Sequence, residues 1–269
     1  MKLDTTIAIE ARNIAKSFGN TPVLKGVSLA ARKGEAVAII GASGSGKSTF
    51  LRCLNLLEVP DLGEVHANGE RITIGPGGQP PARARIERIR RSVAMVFQGF
   101  NLWHHMTVLG NVIEAPIHVH GRPRAEAIEE ARALLAKVGL THRADAYPSQ
   151  ISGGEQQRAA IARALAVHPS VILFDEPTSA LDPELRGEVL ATIQALASEG
   201  RTMIIVTHEM AFARDVSART VFFCEGRIEE EGASAALFAS PKSPRLQQFL
   251  ESFRPGGFTA DRQKASFSR

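Results

Sequence analysis

The sequence has few of the features that mark secreted or membrane-spanning proteins. Cys53 and Cys224 are its only cysteines and form no C-x-x-C pair, which excludes a disulfide framework and predicts two buried free thiols. The most apolar runs, such as residues 171–174 and 203–206, are four residues long, whereas a membrane-spanning helix needs ~20. The opening residues, MKLDTTIAIEAR, lack the apolar core of a secretory signal. If the protein acts at a membrane, we expect another chain to cross it.

Neither sign of charge dominates the composition. Lys and Arg total 32 against 28 Asp and Glu, a net charge of +4, and hydrophobic residues make up 44% of the chain. These values are typical of globular proteins and exclude intrinsic disorder and collagen-like repeats. The mild positive excess permits a nucleic acid or an anionic membrane as partner without requiring either. A chain of 269 residues is long enough for two domains, or for one large domain with an insertion.

The pattern of apolar residues predicts the fold class. Short continuous apolar runs alternate with helical patterns, which is typical of a buried parallel sheet. Residues 7–18, 23–31 and 63–74 resemble strands with turns at 19–20 and 68–69, so they predict a small antiparallel sheet. We therefore predict an α/β fold with a mainly parallel sheet, an N-terminal antiparallel β subdomain and an inserted α-helical subdomain. The helical insertion is predicted between 107 and 166, a loop at 75–81 and a frayed tail at 253–269.

A glycine-rich loop at residues 41–49, GASGSGKST, matches G-x-x-x-x-G-K-[ST] between a predicted strand and a predicted helix. Backbone N–H groups from Gly44 to Lys47 can surround phosphate oxygens, while Lys47 suits the β- and γ-phosphates and Ser48 suits Mg²⁺. The alternative is a glycine-rich turn with a surface lysine. The predicted nucleotide-binding residues of this loop are Gly41, Ser43, Gly44, Ser45, Gly46, Lys47, Ser48 and Thr49.

Other candidate residues follow later strands. Asp175 and Glu176 end a buried run, at the sheet edge where α/β proteins bind ligands. Asp175 suits the Mg²⁺ shell and Glu176 suits a general base for an attacking water, although the pair could also begin a helix. The turn Ser152-Gly153-Gly154 opens a predicted helix and is either an anion site or a simple N-cap. His208, after the run MIIVT, is by itself either a core histidine or a ligand.

Together these motifs resemble the ATP-binding subunits of ABC transporters over nearly the whole chain. The correspondence is ordered along the sequence, with six motifs in the family's order. Residues 41–49 resemble the Walker A loop, Phe97-Gln98 the Q-loop, 151–155 the signature, 171–175 Walker B, 179–182 the D-loop and His208 the switch histidine.

The resemblance implies a homodimer that holds two ATP molecules, with Mg²⁺, between its chains. Ser152, Gly153 and Gly154 would contact the γ-phosphate bound by the partner's Walker A loop. The resemblance implies further roles in each site: Gln98 would bind Mg²⁺ and the attacking water, His208 would contact the γ-phosphate and orient Glu176, Phe18 would stack on adenine, and Asp182 would contact the nucleotide. The implied catalytic residues are Glu176, His208, Gln98 and Lys47, and the implied metal ligands are Ser48, Gln98 and Asp175.

The signature departs from the usual family pattern at two positions. Ile151 stands where the family usually has Leu, and Glu155 where it usually has Gln. A carboxylate near the partner's γ-phosphate would be repelled. We therefore expect Glu155 to point away from it, toward Arg158. At the adenine position the usual Tyr is replaced by Phe18, which keeps the aromatic face.

Residues 101–119, 174–185, 207–217 and 243–250 resemble the ATPases of polar amino-acid importers. The resemblance implies an ATPase that energises uptake of histidine, arginine, lysine, ornithine or opines. Its partners would be a second copy, two transmembrane permease subunits and, indirectly, a solute-binding protein, at the cytoplasmic face of the bacterial inner membrane. The implied division is 1–98 for the first part of the catalytic core with the β subdomain, 99–165 for the helical subdomain with the signature, 166–252 for the second part of the core and 253–269 for a tail.

A competing hypothesis is an ABC ATPase that acts on nucleic acid. RARIERIRR, residues 83–91, has five arginines and one glutamate, but its isoleucines recur at helical spacing and favour a solvated amphipathic helix. Long coiled coils, zinc insertions and tandem cassettes, which such relatives carry, are absent from the sequence. A simple P-loop kinase would not need the Ser-Gly-Gly signature. We therefore expect no nucleic-acid partner.

Two further clusters have open interpretations. Phe100, Leu102, Trp103 and Met106 form a dense apolar group that either docks the permease or packs inside the helical insertion. Four histidines invite a metal site, but they have no Cys or carboxylate at ligand spacing. They are His104, His105, His118 and His120.

Overall fold

The computed structural model of the chain describes residues 6–75 and 81–253. Most of the loop predicted at 75–81 and of the tail predicted at 253–269 lies outside the described residues. In chain order the strands are β1 (Ile7–Phe18), β2 (Thr21–Arg32), β3 (Ala36–Gly41), β4 (Leu62–Ala67), β5 (Glu70–Ile74), β6 (Val93–Val96), β7 (Val171–Asp175), β8 (Met203–Val206), β9 (Arg219–Cys224) and β10 (Arg227–Ala233). The α-helices are α1 (Lys47–Leu54), α2 (Arg83–Ser92), α3 (Val108–His118), α4 (Arg124–Lys137), α5 (Gly153–Leu165), α6 (Pro183–Ser198), α7 (Met210–Val216), α8 (Ser234–Ala239) and α9 (Pro244–Glu251).

A four-stranded antiparallel sheet has the strand order β2-β1-β4-β5. Its strands alternate buried and exposed positions because one face packs on the core and the other faces solvent. The turns that join its strands lie at 19–20 and 68–69, as the sequence predicts. This sheet is the predicted N-terminal β subdomain.

A six-stranded sheet has the order β10-β9-β3-β8-β7-β6 and is parallel except where β10 pairs with β9. Its central strands β3, β8 and β7 are buried along their whole length, as expected for continuous apolar runs in a parallel sheet. The register places Val96 beside Phe174 and Asp175 beside Val206. The residues that follow β6, β7 and β8 therefore emerge at one edge of the sheet.

The helices α3, α4 and α5 pack on one another, and α5 also contacts α6 and β6. Thr107 caps α3, its hydroxyl accepting a hydrogen bond from the N–H of Gly110 at 3.0 Å. Small residues along α5, including Ala159, Ala160 and Ala162, are buried and let the neighbouring helices approach closely. The predicted α/β fold with its helical insertion is confirmed.

The amphipathic helix predicted from RARIERIRR is α2. Ile89 is buried in the core, while Arg83 pairs with Glu87 and Arg88 pairs with Glu70 on the solvent side. No helix within residues 6–75 and 81–253 combines the length and the apolarity needed to cross a bilayer.

The two cysteines differ in their surroundings. Cys53 is fully buried, and burial raises the pKa of its thiol to about 12. The prediction of a buried thiol is wrong for Cys224, which is only half-buried. Cys224 is the last residue of β9, where the strand leaves the core, and its sulfur accepts a hydrogen bond from Arg245 at 3.2 Å.

Candidate functional site

The loop at 41–49 connects β3 to α1 and holds a buried cation. The Lys47 ammonium donates to the carbonyl oxygens of Gly41 and Ala42, both at 2.9 Å. Burial lowers the pKa of Lys47, and the negative charges of Glu176 and Asp175 oppose that shift. Among the described residues the hydrogen-bond acceptors of this ammonium are neutral carbonyls, so its charge can bind an anionic ligand.

The backbone of this loop is shaped around a close approach to β2. Gly46 has φ of 102°, and a Cβ there would lie 3.0 Å from the carbonyl oxygen of Val23. The neighbouring Ser45 hydroxyl is buried without a hydrogen-bond partner among the described residues. An orphaned buried hydroxyl beside a buried lysine fits a polyphosphate, whose oxygens would accept from both. Of the remaining loop residues, Ser43 and Gly44 are exposed, whereas Ser48 and Thr49 are half-buried.

A hydroxyl and a carboxylate meet directly behind the loop. Ser48 Oγ donates to Asp175 Oδ1 at 2.6 Å, which joins the start of α1 to the end of β7. Both are hard oxygen ligands of the kind that Mg²⁺ takes, and Mg²⁺ is usually held by one or two such protein groups plus substrate phosphates. The donor set therefore fits Mg²⁺. Within the described residues no group of three or more His, Cys, Asp and Glu could hold a metal ion alone.

The second carboxylate of the Asp-Glu pair contacts the histidine. Glu176 Oε1 lies 2.9 Å from His208 Nε2, across the edge formed by β7 and β8. The hydrogen bond from His208 lowers the pKa of Glu176 more than burial raises it, and the charge of Lys47 acts in the same direction. Glu176 is thus an ionised proton acceptor at neutral pH. The alternative that Asp175-Glu176 begins a helix is wrong, because α6 begins at Pro183.

Glu176 also has a strained backbone. Its φ is 48°, in the left-handed region that costs a residue with a Cβ roughly 1 kcal/mol or more. Strain of this kind persists where the surrounding structure fixes it, here through a backbone hydrogen bond from Glu176 N to Val206 O at 2.9 Å. It directs the carboxylate toward His208 instead of along the strand.

The Ser-Gly-Gly turn at 152–154 begins α5. Ser152 Oγ accepts from the N–H of Glu155 at 3.2 Å, and Glu155 Oε2 accepts from the N–H of Ser152 at 2.8 Å, which is a capping box. Ser152 itself is exposed. The turn is therefore an N-cap in this chain, in which Gly153 is half-buried and Gly154 is buried.

Glu155 does not pair with Arg158 as predicted. Its carboxylate contacts Arg143 at 2.9 Å, because Arg158 is already engaged with the Val138 carbonyl at 2.8 Å and with Glu188 at 2.9 Å. Burial raises the pKa of Glu155, but the N–H of Ser152 and the guanidinium of Arg143 together lower it further. The carboxylate is turned back onto its own helix.

The remaining predicted residues lie apart from this cluster. Phe18 ends β1 and is 48% exposed, with the Lys16 ammonium 5.4 Å from its ring centre. Gln98 is exposed just beyond β6, and Asp182 is exposed at the start of α6. Among the described residues, none of these side chains, nor that of Ser152, has a hydrogen bond or ion pair to Lys47, Asp175, Glu176 or His208. The structure joins the sheet-edge residues and leaves the other four separate.

Sequence reasoning missed two arginines near the site. Arg52 Nη2 lies 3.5 Å from Asp175 Oδ2, and Arg186 Nη1 lies 3.2 Å from Glu209, next to His208. Arg186 also helps line a small cavity of about 170 Å³ beside Glu176 and His208. Arg52 follows Ser48 by one helical turn, a spacing that predicts a shared helix face and could have revealed it.

The apolar residues at 100–106, predicted either to dock the permease or to pack inside the helical insertion, differ in how far they are buried. Leu102 is buried and packs with the helical insertion, Phe100 and Met106 are half-buried, and Trp103 is 43% exposed. Packing therefore accounts for Leu102. The ring of Trp103 is exposed, and the guanidinium of Arg163 lies 5.8 Å from its centre.

The sequence and the fold are both similar to those of known proteins. Residues 24–179 match the family described as ABC transporter. The octopine permease ATP-binding protein P of Rhizobium radiobacter is 58% identical over 254 residues, which cover 93% of this chain and 96% of that protein. The arginine/ornithine transport ATP-binding protein AotP of Pseudomonas aeruginosa is 58% identical over 246 residues, covering 90% and 97%. A dimeric structure of the ATP-binding cassette MJ0796 in a post-hydrolysis state, bound to ADP and Pi, is 34% identical with a TM-score of 0.73, covering 84% of this chain and 98% of that one.

Proposed function

The chain belongs to the ABC transporter family of ATP-binding proteins, and from this premise we propose that it is the ATP-hydrolysing subunit of an importer for basic amino acids or opines. The observation that carries the proposal is the ionised Glu176 held by His208 beside the phosphate-binding loop. The names of the relatives, which include octopine permease, arginine/ornithine transport and histidine transport proteins, support this solute class with histidine included.

We assign each polar group at the sheet edge a role in ATP hydrolysis. Lys47 neutralises charge on the β- and γ-phosphates of ATP, and Ser48, Asp175 and Gln98 are the proposed Mg²⁺ ligands. Mg²⁺, when bound, stabilises the negative charge that develops on the phosphate oxygens. Glu176 takes a proton from water as the water oxygen bonds to the γ-phosphorus, and the bond from the γ-phosphorus to the β–γ bridging oxygen breaks. The products are ADP and phosphate, and His208 orients Glu176 for the proton transfer.

The exposed side chain of Ser152 at the Ser-Gly-Gly turn supports a site shared between two chains. We infer that Ser152, Gly153 and Gly154, with Asp182, contact the nucleotide held by the 41–49 loop of a second copy. The dimeric, ADP-bound structure of the MJ0796 cassette supports this arrangement. Closure of the dimer on ATP would then be the movement that drives transport.

The membrane partners follow from the same family membership. Two transmembrane permease subunits are the proposed partners, with a solute-binding protein acting through them, and the chain would be peripheral at the cytoplasmic face of the inner membrane. We assign permease docking to the helical part at 99–165, where Trp103 is exposed. Residues 1–98 and 166–252 would form the catalytic core, with Phe18 stacked on adenine.

Replacing Glu176 by Gln tests the proposal. The amide keeps the shape of the side chain but accepts no proton, so we expect ATP turnover to fall at least about a hundredfold while nucleotide binding persists. ATP should then trap a dimer, which size-exclusion chromatography with light scattering would detect. Glu184→Gln, an exposed change on α6, serves as the matched control. Undiminished turnover in Glu176→Gln would remove Glu176 from the role of base.

A further inference from the structure

Arg186, on α6, binds two separate segments of the chain. Its Nε donates to the carbonyl oxygen of Leu181 at 3.2 Å, and its Nη1 donates to Glu209 Oε1 at 3.2 Å. Leu181 lies in the turn that follows Glu176, and Glu209 directly follows His208 in the sequence. One guanidinium therefore joins the two segments whose side chains are proposed to act together in proton transfer.

The segments at 176–181 and 207–209 both line the small cavity of about 170 Å³ beside Glu176 and His208. Because side-chain packing does not fill this space, hydrogen bonds have to fix the distance between the two segments. Among the described residues, two side-chain links provide such bonds. One is the contact of Glu176 with His208 at 2.9 Å, and the other is the pair of bonds made by Arg186.

The imidazole of His208 has little other support. Among the described residues Glu176 is its only hydrogen-bond partner, and its side chain is 36% exposed. The next residue is held more firmly, since the N–H of Glu209 donates to Thr207 Oγ1 at 3.0 Å and its carboxylate accepts from Arg186. The orientation of His208 therefore depends on the position of Glu209, which Arg186 fixes relative to α6.

The residue type at position 186 suits positioning better than stabilisation. The side chains of Arg186 and Glu209 are 37% and 32% exposed, and an ion pair with this much exposure contributes little to the free energy of folding. Arginine is, however, the side chain whose planar guanidinium donates in several fixed directions at once. Because one of its acceptors belongs to a buried residue, Leu181, the guanidinium holds Glu209 at a defined place.

We propose that Arg186 is a positioning residue, which keeps His208 in contact with Glu176 by joining Glu209 to the turn at 176–181. The inference rests on the proposed roles of Glu176 and His208 in ATP hydrolysis. All of these groups belong to one chain and act on the nucleotide bound by the 41–49 loop of that chain. Arg186 touches neither nucleotide nor metal in this role and acts only through the segment that carries His208.

A double-mutant cycle between Arg186→Met and His208→Ala tests the proposal in the full chain. Methionine keeps an unbranched apolar stem but donates no hydrogen bond, so we expect kcat to fall about fivefold. The KM for ATP should change less than about twofold, because the 41–49 loop is untouched. In the His208→Ala background the same substitution should change kcat less than about twofold. Arg186→Lys keeps the charge without the planar fork and should have an intermediate kcat.

Hydrogen exchange of the nucleotide-free protein provides a readout that does not depend on turnover. The N–H of Glu209 is bonded to Thr207 Oγ1, so its exchange reports on the order of this segment. We expect exchange at 207–209 to be at least about threefold faster in Arg186→Met than in the wild type. Arg71→Met is the matched control, because it breaks another partly exposed pair, with Glu64 on the antiparallel sheet. It should change neither this exchange nor kcat.

The outcomes separate this inference from the proposed function. If Arg186→Met and His208→Ala both slow turnover and their effects multiply in the double variant, Arg186 does not act through His208, and the inference is overturned while the role of His208 stands. Wild-type turnover in Arg186→Met overturns it as well. If His208→Ala itself has the wild-type rate, the proposed role of His208 fails and this inference fails with it. Should Arg186→Met fail to fold, Glu209→Ala removes the acceptor of the same bond and takes its place in the cycle.

Discussion

The sheet edge and the Ser-Gly-Gly turn differ in how their polar groups are satisfied. At the sheet edge, side chains from different elements bind one another, as in Ser48 with Asp175 at 2.6 Å and Glu176 with His208 at 2.9 Å. At the turn, Ser152 and Glu155 bind each other within one helix. The first region is assembled by the fold of a single chain. The second forms a complete helix end within the one chain.

The difference divides the reaction into two parts. On the proposed function, binding of the nucleotide uses the 41–49 loop and Lys47, which one chain supplies. Hydrolysis would also use the Ser-Gly-Gly turn of a second copy, since within the described residues the turn of this chain has no hydrogen bond or ion pair to Lys47 or Glu176. Variants at the two regions should therefore affect binding and turnover unequally.

The largest expected effect comes from Ser152→Ala set against Lys47→Ala. We expect Ser152→Ala to reduce turnover about a hundredfold, as is usual for loss of one donor at a transition state, with ATP binding to the monomer nearly unchanged. Lys47→Ala should abolish binding itself. Nucleotide affinity measured by calorimetry and turnover measured by phosphate release would separate the two.

A control for the lost helix cap is Ser243→Ala, since Ser243 caps α9 in the same way and is remote from the loop. If Ser152→Ala weakened monomer binding as strongly as Lys47→Ala, the two regions would act within one chain and the comparison would fail.

The next largest effect is expected on the pH dependence of ATP turnover, which depends on Glu176 and His208 at the sheet edge. His208→Ala removes the largest cause of the lowered pKa of Glu176, so that pKa should rise. Glu176 must be ionised to accept a proton, and the acid limb of the rate profile should therefore move to higher pH. We also expect turnover at neutral pH to fall more than about tenfold.

Turnover measured across pH, with His118→Ala as control, checks this expectation. His118 is largely exposed and belongs to α3, away from the edge. An unmoved acid limb in His208→Ala would mean that the contact of 2.9 Å does not set the protonation of Glu176 during the reaction.

A smaller effect is expected at Phe18, which tests whether one chain alone binds the adenine ring of ATP. Phe18→Leu removes the aromatic face, and loss of stacking on one exposed side should cost about 1 kcal/mol, or roughly fivefold in ATP affinity. Phe18→Tyr keeps the face and should bind as the wild type does. Equal affinities for all three proteins would exclude adenine stacking at this position.

The smallest effect is on stability at the turn. Glu155→Gln keeps a hydrogen-bond acceptor for Ser152 but loses the charge that pairs with Arg143, and we expect a loss of about 0.5–1 kcal/mol in the free energy of unfolding at pH 7. Because the folded pKa of Glu155 is lowered, this contribution is present above the ordinary carboxyl value of 4.5 and disappears as pH falls through the lowered pKa. Urea unfolding at pH 7 and at acid pH measures both. A difference that persisted in acid would assign the effect to packing.

The sequence predicts the parts of this molecule that depend on local order. The buried strands followed from continuous apolar runs, and the 41–49 loop followed from its position between a strand and a helix. The contact of Glu176 with His208 was expected only from family resemblance, since the two are 32 residues apart and no local rule joins them.

Contacts decided by competition between distant groups could not be predicted. Arg158 is three residues from Glu155 on one helix, yet Val138 and Glu188 occupy it, so Arg143 takes its place. The exposure of Cys224 depends on where β9 leaves the core. The division between Leu102 and Trp103 depends on which face of their loop the helices cover. Each outcome needs the positions of elements that are remote in sequence.

The left-handed backbone of Glu176 has a consequence for evolution. A glycine at position 176 would relieve the backbone strain and could stabilise the fold, but it would supply no carboxylate for the proposed reaction. On the proposed role of Glu176, the strained backbone at this position is the cost of placing a carboxylate beside His208. A related protein with glycine or asparagine at this position would be expected to keep the fold and to have lost ATP hydrolysis.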